Sequence, residues 1–204
     1  MNITKNGYYF IGLLVGLYLW ILILYLVGNP GDLTDYSIRL AVLFGFTSLF
    51  IAGVITPFMK QIYKMFGTSF LNIHHVFSVI GLILVTVHPL AFAIVTNAPE
   101  AFIPKFDSWI VFWNLAGRPA LYLIYISVIA VLIRKKISQN IWRILHGLNY
   151  VALVFGYFHG VLIGTDFQNL GIMITFTAMF VISMEVLIYR RYQKYIFNQK
   201  KKGV

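Results

Sequence analysis

The sequence contains no cysteine. Disulfides, thiolate metal clusters, thioether-linked cofactors and cysteine nucleophiles are therefore excluded, and thiols give no reading of redox compartment. Charge is also scarce. Of 204 residues only 11% are charged while 60% are hydrophobic; a soluble domain carries about 25% charged residues. That balance predicts a membrane protein, and the length allows one compact bundle. Acids are scarcest, six against sixteen Lys and Arg, giving a net charge of +10. Such an excess marks nucleic-acid binding when it gathers into a patch on a soluble domain. Here it follows the membrane topology instead, so no nucleic-acid partner is needed. Nor is there a Gly-rich dinucleotide fingerprint on a βαβ unit.

What the chain does have is apolar runs. Those at residues 7–27, 38–58, 73–95, 119–133, 141–163 and 170–189 predict an all-α, integral membrane six-helix bundle forming a single domain. The first run is too long for a signal-peptide core, and no small-residue cleavage site follows it, so it reads as a retained span. Gly12 and Gly16 form a GxxxG pair that predicts close helix packing. Asn29-Pro30-Gly31-Asp32 reads as a turn. Pro57 ends the second run, and residues 60–72 read as a short basic connection. Pro89 predicts a kink or unwinding in the third helix, and Pro119 opens the fourth. The longest connection, residues 96–118, carries Phe102, Phe106, Trp109, Phe112 and Trp113. It reads either as a segment lying in the membrane interface or as an ordered loop over the bundle end.

Six spans put the amino terminus, residues 60–72, residues 134–143 and the basic tail from Arg190 onward on one side. Of the sixteen basic residues only Arg39, Lys105 and Arg118 fall on the other. The positive-inside rule then places both termini in the cytoplasm of a cell-membrane protein. The basic side is also an attraction for anionic lipid.

Intramembrane histidines are costly and mark function, and all five of this chain's lie in two of the runs: His74, His75 and His88 in the third, His146 and His159 in the fifth. Both runs enter from the cytoplasm. His74 and His146 therefore share the inner depth, and His88 and His159 the outer. Fourteen residues of helix give about 21 Å of rise and only about 40° of net rotation, so His74 and His88 face nearly one way. His75 is about 140° out of phase with His88, which favours His74 as the inner ligand. The same arithmetic sets His146 and His159 about 140° apart. Either that helix is overwound or bent, or its two rings approach from different sides of its axis.

Two histidines per level, without Asp, Glu or Cys at those depths, fall short of a zinc site. Haem iron needs only axial ligands, because the porphyrin supplies four nitrogens. Gly156, Gly160 and Gly164 read either as room for a flat ring or as ordinary helix packing. Iron held by two histidines has no open position and passes electrons, at a potential set by ligands, burial and hydrogen bonds.

The paired histidines on the third and fifth of six spans resemble the ferric-reductase-like transmembrane domain superfamily over roughly residues 38–189. The resemblance implies two b-type haems, with His74 and His146 on the inner one and His88 and His159 on the outer. Within the superfamily the chain looks most like the MsrQ-type haem-binding membrane subunits. The shared features are Ile38-Arg39, Ile55-Thr56-Pro57, Gly117-Arg118-Pro119 and Trp142-Arg143-Ile144-Leu145-His146. In those subunits the position matching His74 can be a different basic residue, so the full histidine set here is closer to the general ferric reductase domain. Other members continue into cytoplasmic FAD and NADPH domains. Here about fifteen residues follow the last predicted span, so the expectation is an electron-transfer subunit that takes electrons from a cytoplasmic flavoprotein, a bound FMN or FAD, or a quinol or quinone. The outer acceptor would be an extracytoplasmic reductase partner.

Arg39 and Arg118 read as outer propionate partners or as interfacial side chains. Arg143 reads as the inner counterpart, with Lys60 and Lys64 beside it. His75 reads as a propionate partner or alternative inner ligand. Glu185 reads as a proton relay or an interfacial acid. Two rival functions remain: a stand-alone ferric or oxygen reductase at the outer haem, and a histidine-lined transporter of protons or metal. No convincing inverted repeat supports the latter.

Overall fold

The computed structural model describes residues 3–28 and 33–201; the predicted turn at residues 29–32 and the end of the basic tail lie outside them. Among the described residues the chain is all-helical, 88% helix and no strand. Eight α-helices follow one another: α1 (Lys5–Gly28), α2 (Leu33–Val54), α3 (Met59–Phe66), α4 (Phe70–Thr96), α5 (Trp109–Asn114), α6 (Gly117–Leu132), α7 (Gln139–Ile163) and α8 (Leu170–Lys201). Helices α1, α2, α4, α7 and α8 are long and apolar enough to cross a membrane. Helix α6 has 16 residues. It rises about 24 Å, against about 30 Å of hydrocarbon.

Local chemistry sets several boundaries. Ser69, Ser108 and Ser138 each accept a hydrogen bond from an N–H in the first turn of α4, α5 and α7, the usual role of a serine N-cap. Asn169 does the same for α8 through Gly171 and Ile172, while its amide donates to the Leu24 carbonyl of α1. Gly67 closes α3 at φ 61°, in the left-handed region that glycine enters without a Cβ clash.

Four expectations are corrected. The 60–72 connection contains helix α3, whose Ile62 and Phe66 are buried in the core; this eight-residue amphipathic turn is too short for a periodicity signal. The tail is not separate from the last span, because α8 runs on through Lys201. Tyr, Arg, Gln and Lys carry no helix-breaking signal there. Of the two outcomes expected at Pro89 it is the unwinding that is corrected, because Pro89 lies inside a continuous helix. Proline removes one N–H from the ladder, and the turn it frees is where α2 packs: a Cβ on Gly45 would meet Val85 at 2.8 Å. Finally, a Cβ added to Gly12 or Gly16 would have nothing within 4 Å, so no described helix of this chain uses that GxxxG face.

Helix α2 packs along α4, and α6 along α7. A larger apolar cluster joins α1, α2, α3 and α8 through Ile21, Leu43, Ile51, Ile62, Ile172 and Phe176. A small one, Ala120, Ile124 and Ala152, joins α6 to α7. Between the two lies open space rather than core. Of the five helices long enough to span a membrane, the two that bear histidines accordingly hold the fewest buried residues, Gly81 on α4 and Ala152 and Leu153 on α7.

Candidate cofactor site: two histidine pairs around one cavity

A cavity of about 1550 Å³ runs between the helix pairs and is lined by all five histidines. It exceeds the roughly 300–1,000 Å³ of ordinary ligand pockets. Its middle is apolar, with Val42, Phe46, Leu82, Val85, Ile124 and Val128 among its walls. Its ends are polar: Asp35, Arg39, Arg118 and Asp166 at one, Arg143, Arg190, Arg191 and Lys194 at the other.

His74 and His146 meet at the second of these ends, their ring centres 6.3 Å apart. The His74 Nδ1 lies 3.0 Å from the Ala52 carbonyl of α2. Its Nε2 faces only the Ser78 hydroxyl, at a long 3.4 Å. The His146 ring stacks on Trp142, centres 5.7 Å apart and planes within 11°. Its Nδ1 is buried and finds no hydrogen-bond partner among the described residues, and neither does the Trp142 indole nitrogen. His75 is exposed, its ring 6.0 Å from that of His74.

His88 and His159 line the cavity toward the other end. The His88 Nδ1 lies 2.6 Å from the Ile38 carbonyl, and the His159 Nδ1 lies 2.6 Å from the Asn114 carbonyl. Gly117 presses on the His159 ring: a Cβ there would stand 2.6 Å from Cδ2.

Three of the four rings thus place Nδ1 on a backbone carbonyl. A carbonyl only accepts, so Nδ1 carries the proton and Nε2 keeps its lone pair. This is the arrangement that prepares a histidine as a metal ligand and fixes its ring. No group of three or more His, Asp or Glu side chains converges among the described residues, so the donors do not suit a bare zinc ion. They suit a group that brings its own equatorial ligands. Two imidazoles on one metal at about 2.0–2.1 Å, each ring centre about 1.1 Å further out, stand about 6.3 Å apart. The His74–His146 spacing has that value. The apolar middle and the cationic end at Arg143, Arg190, Arg191 and Lys194 fit a flat apolar ring with acidic substituents, whereas the other end sets two acids against two arginines.

The phase problem on α7 resolves by the second of the two routes. Measured from His146, Gly160, Asn149 and Gly156 fall about 40°, 60° and 80° round the helix and His159 about 140°, all in one direction. All of them line the cavity. His159 therefore stands at one edge of a broad lining stripe that continues past His146 on the other side through Tyr150 and Gly147, and the helix stays α-helical throughout. All three glycines line the cavity, but only Gly156 leaves room there, its nearest foreign atoms being the Phe46 ring at 3.9 Å; Gly160 packs under Phe167.

The arginines divide. Arg118 donates to the Ile103 carbonyl at 2.8 Å. Arg143 is exposed at the cavity mouth. Arg39 is not free for an added acidic group, because it is paired with Asp166, its Nε 3.0 Å from Oδ1. Nothing in the sequence marks Asp166 as more than an acid on the outer side. The backbone carbonyls of Ala52, Ile38 and Asn114 have no sequence signal at all. Lys60 and Lys64 sit on α3, whereas Arg190 donates to the Thr56 hydroxyl at 2.9 Å. No family model, curated protein or solved structure matches this chain.

Proposed function

We propose that the chain is a transmembrane cytochrome b, a six-span bundle that carries electrons across a membrane between two haems stacked along its axis. More particularly, it acts as an MsrQ-like electron-transfer subunit. It accepts electrons at the cytoplasmic side from a flavoprotein, a bound flavin or a quinol, and passes them to a partner on the outer side. The observation that carries the reading is the set of three Nδ1–carbonyl hydrogen bonds, which present histidine Nε2 atoms at two depths of one cavity.

His74 and His146 would hold the inner haem, and His88 and His159 the outer. When bound, each haem supplies a one-electron carrier whose iron has no open position. The protein's part is to orient and to exclude. Ala52, Ile38 and Asn114 hold the Nδ1 protons, which raises the basicity of the opposite nitrogens. Val42, Phe46, Leu82 and Ile124 keep water from the space between the levels. Arg143, Arg190, Arg191 and Lys194 give the inner mouth a positive charge that suits haem propionates and an acidic donor. His75 is exposed beside that mouth and partners a propionate. Both termini lie in the cytoplasm on this reading, since that places thirteen of the sixteen basic residues inside.

The test is a reduced-minus-oxidised spectrum of the purified protein with haem quantification. A bis-histidine b-type spectrum with about two haems per chain is expected. His88→Ala and His159→Ala remove one component, and His74→Ala and His146→Ala the other. A folded protein without a Soret band refutes the reading. Loss of the inner component in His75→Ala but not in His74→Ala reassigns that ligand.

A further inference from the structure

We propose that the buried Arg39–Asp166 ion pair positions the outer histidine pair and sets its electron affinity. It does so by fastening the helical turn that orients His88 to the turn that follows His159. The electron-affinity half rests on the haem reading; the positioning half does not.

The pair is built rather than incidental. Arg39 directs both Nε and Nη2 at Asp166 Oδ1. Its Nη1 lies 3.8 Å from Asp35, and its guanidinium stands over the Tyr25 ring at 5.4 Å. Side-chain exposure is 14% for Arg39 and 9% for Asp166, so water screens the pair little. Two donors on one oxygen and a flat face on a ring are features of arginine that lysine lacks.

Arg39 is one residue from the atom that holds His88, and Asp166 is one residue from a ring that packs beside His159. Arg39 lies in the π-helical segment Tyr36–Leu40 of α2, and the preceding residue, Ile38, supplies the carbonyl that holds His88 Nδ1 at 2.6 Å. Such single-turn widenings of a helix recur at functional sites. Asp166 lies in the 3-10 turn Thr165–Gln168 directly after α7. The next residue, Phe167, packs its ring on Gly160, the neighbour of His159. The ion pair therefore closes a chain from His88 through Ile38, Arg39, Asp166, Phe167 and Gly160 to His159. Both charges also line the cavity. A negative charge at that wall opposes an added electron and a positive one favours it, and in a low-dielectric interior neither effect is well screened.

The experiment measures the midpoint of the outer component in Asp166→Asn, Arg39→Gln and the double variant. Asp166→Asn raises the midpoint, Arg39→Gln lowers it, and the double variant falls between the two. A tenfold change in the one-electron equilibrium, about 59 mV, is the expected size for each single variant. Shifts of the same sign, or of less than about threefold in both, overturn the electrostatic half. The positioning half is read without haem, from the ¹⁵N NMR signal of the His88 Nδ1–H bond in detergent. That signal is retained in the wild type and broadened or lost in Arg39→Met/Asp166→Leu. The last variant buries no lone charge, so it keeps the fold where single variants fail. An unchanged signal in it overturns the positioning half. Absence of haem from the wild type is instead a failure of the cofactor reading.

Discussion

At the scale of single residues, the site depends on small groups that leave room or hold a proton. Gly117 is the clearest case. A methyl group there would stand 2.6 Å from Cδ2 and 2.9 Å from Nε2 of His159, closer than carbon atoms pack. The ring must turn, and its 2.6 Å bond to the Asn114 carbonyl breaks. Gly117→Ala is therefore expected to lose most of the outer haem component while helix content by circular dichroism is kept. Gly12→Ala, at a glycine with nothing within 4 Å, leaves both unchanged. A second residue-scale prediction concerns Trp142, which stacks on the one histidine of the four whose Nδ1 finds no partner among the described residues. Trp142→Leu removes the stacking surface and is expected to shift the spectrum of the inner component while sparing the outer one. The histidine identities are readable from sequence because type and spacing carry them. The carbonyls that orient the rings are not, since every residue has a carbonyl and only the fold selects Ala52, Ile38 and Asn114.

Among the helices, the α2–α4 seam determines where two of the four histidines point. Gly45 on α2 faces Val85, and Gly81 on α4 faces Leu49, with the Leu49 backbone nitrogen 3.1 Å from a Cβ at Gly81. Backbone cannot yield as a side-chain tip can. Gly81→Leu should therefore destabilise the bundle by about 1–3 kcal/mol through overpacking, measured by unfolding in detergent. It should also separate His74 and His88 from the α2 carbonyls they bond. Helix α4 is readable as one apolar run, and the offset of about 40° between His74 and His88 follows from helix geometry alone. The contribution of Gly45 and Gly81 is not, because a glycine in an apolar run looks the same whether it faces a neighbour, a cavity or lipid. Gly12 and Gly16, which carry the recognised motif, have no neighbour in the described fold. Pro89 misleads for a related reason. Its missing N–H predicts a break in an isolated helix, whereas packing of α2 against the same turn supports a continuous one.

For the whole molecule, the number of helices that cross the bilayer turns on α6. Its 16 residues rise about 24 Å, and about 30 Å of hydrocarbon must be crossed. Two features favour a crossing. Ser127 donates to the Leu145 carbonyl of α7 at 2.8 Å, and α6 packs along α7 over much of its length, so α6 lies at the same depth as a helix long enough to span. Snorkelling of Arg118 at one end and of Arg134, Lys135 and Lys136 beyond the other accommodates the short apolar stretch. If α6 crosses, the six-span count keeps both termini and most basic residues on one side; if it does not, five spans put the termini on opposite sides and divide the basic residues. The sequence has no cysteine, so single cysteines report topology without background. Asp107→Cys and Lys136→Cys flank α6. An impermeant maleimide applied to intact cells is expected to label Asp107→Cys, and to label Lys136→Cys only after permeabilisation. Labelling of both from outside removes α6 from the membrane. It would also set the inner and outer assignments of the two histidine pairs against the charge distribution from which they were drawn.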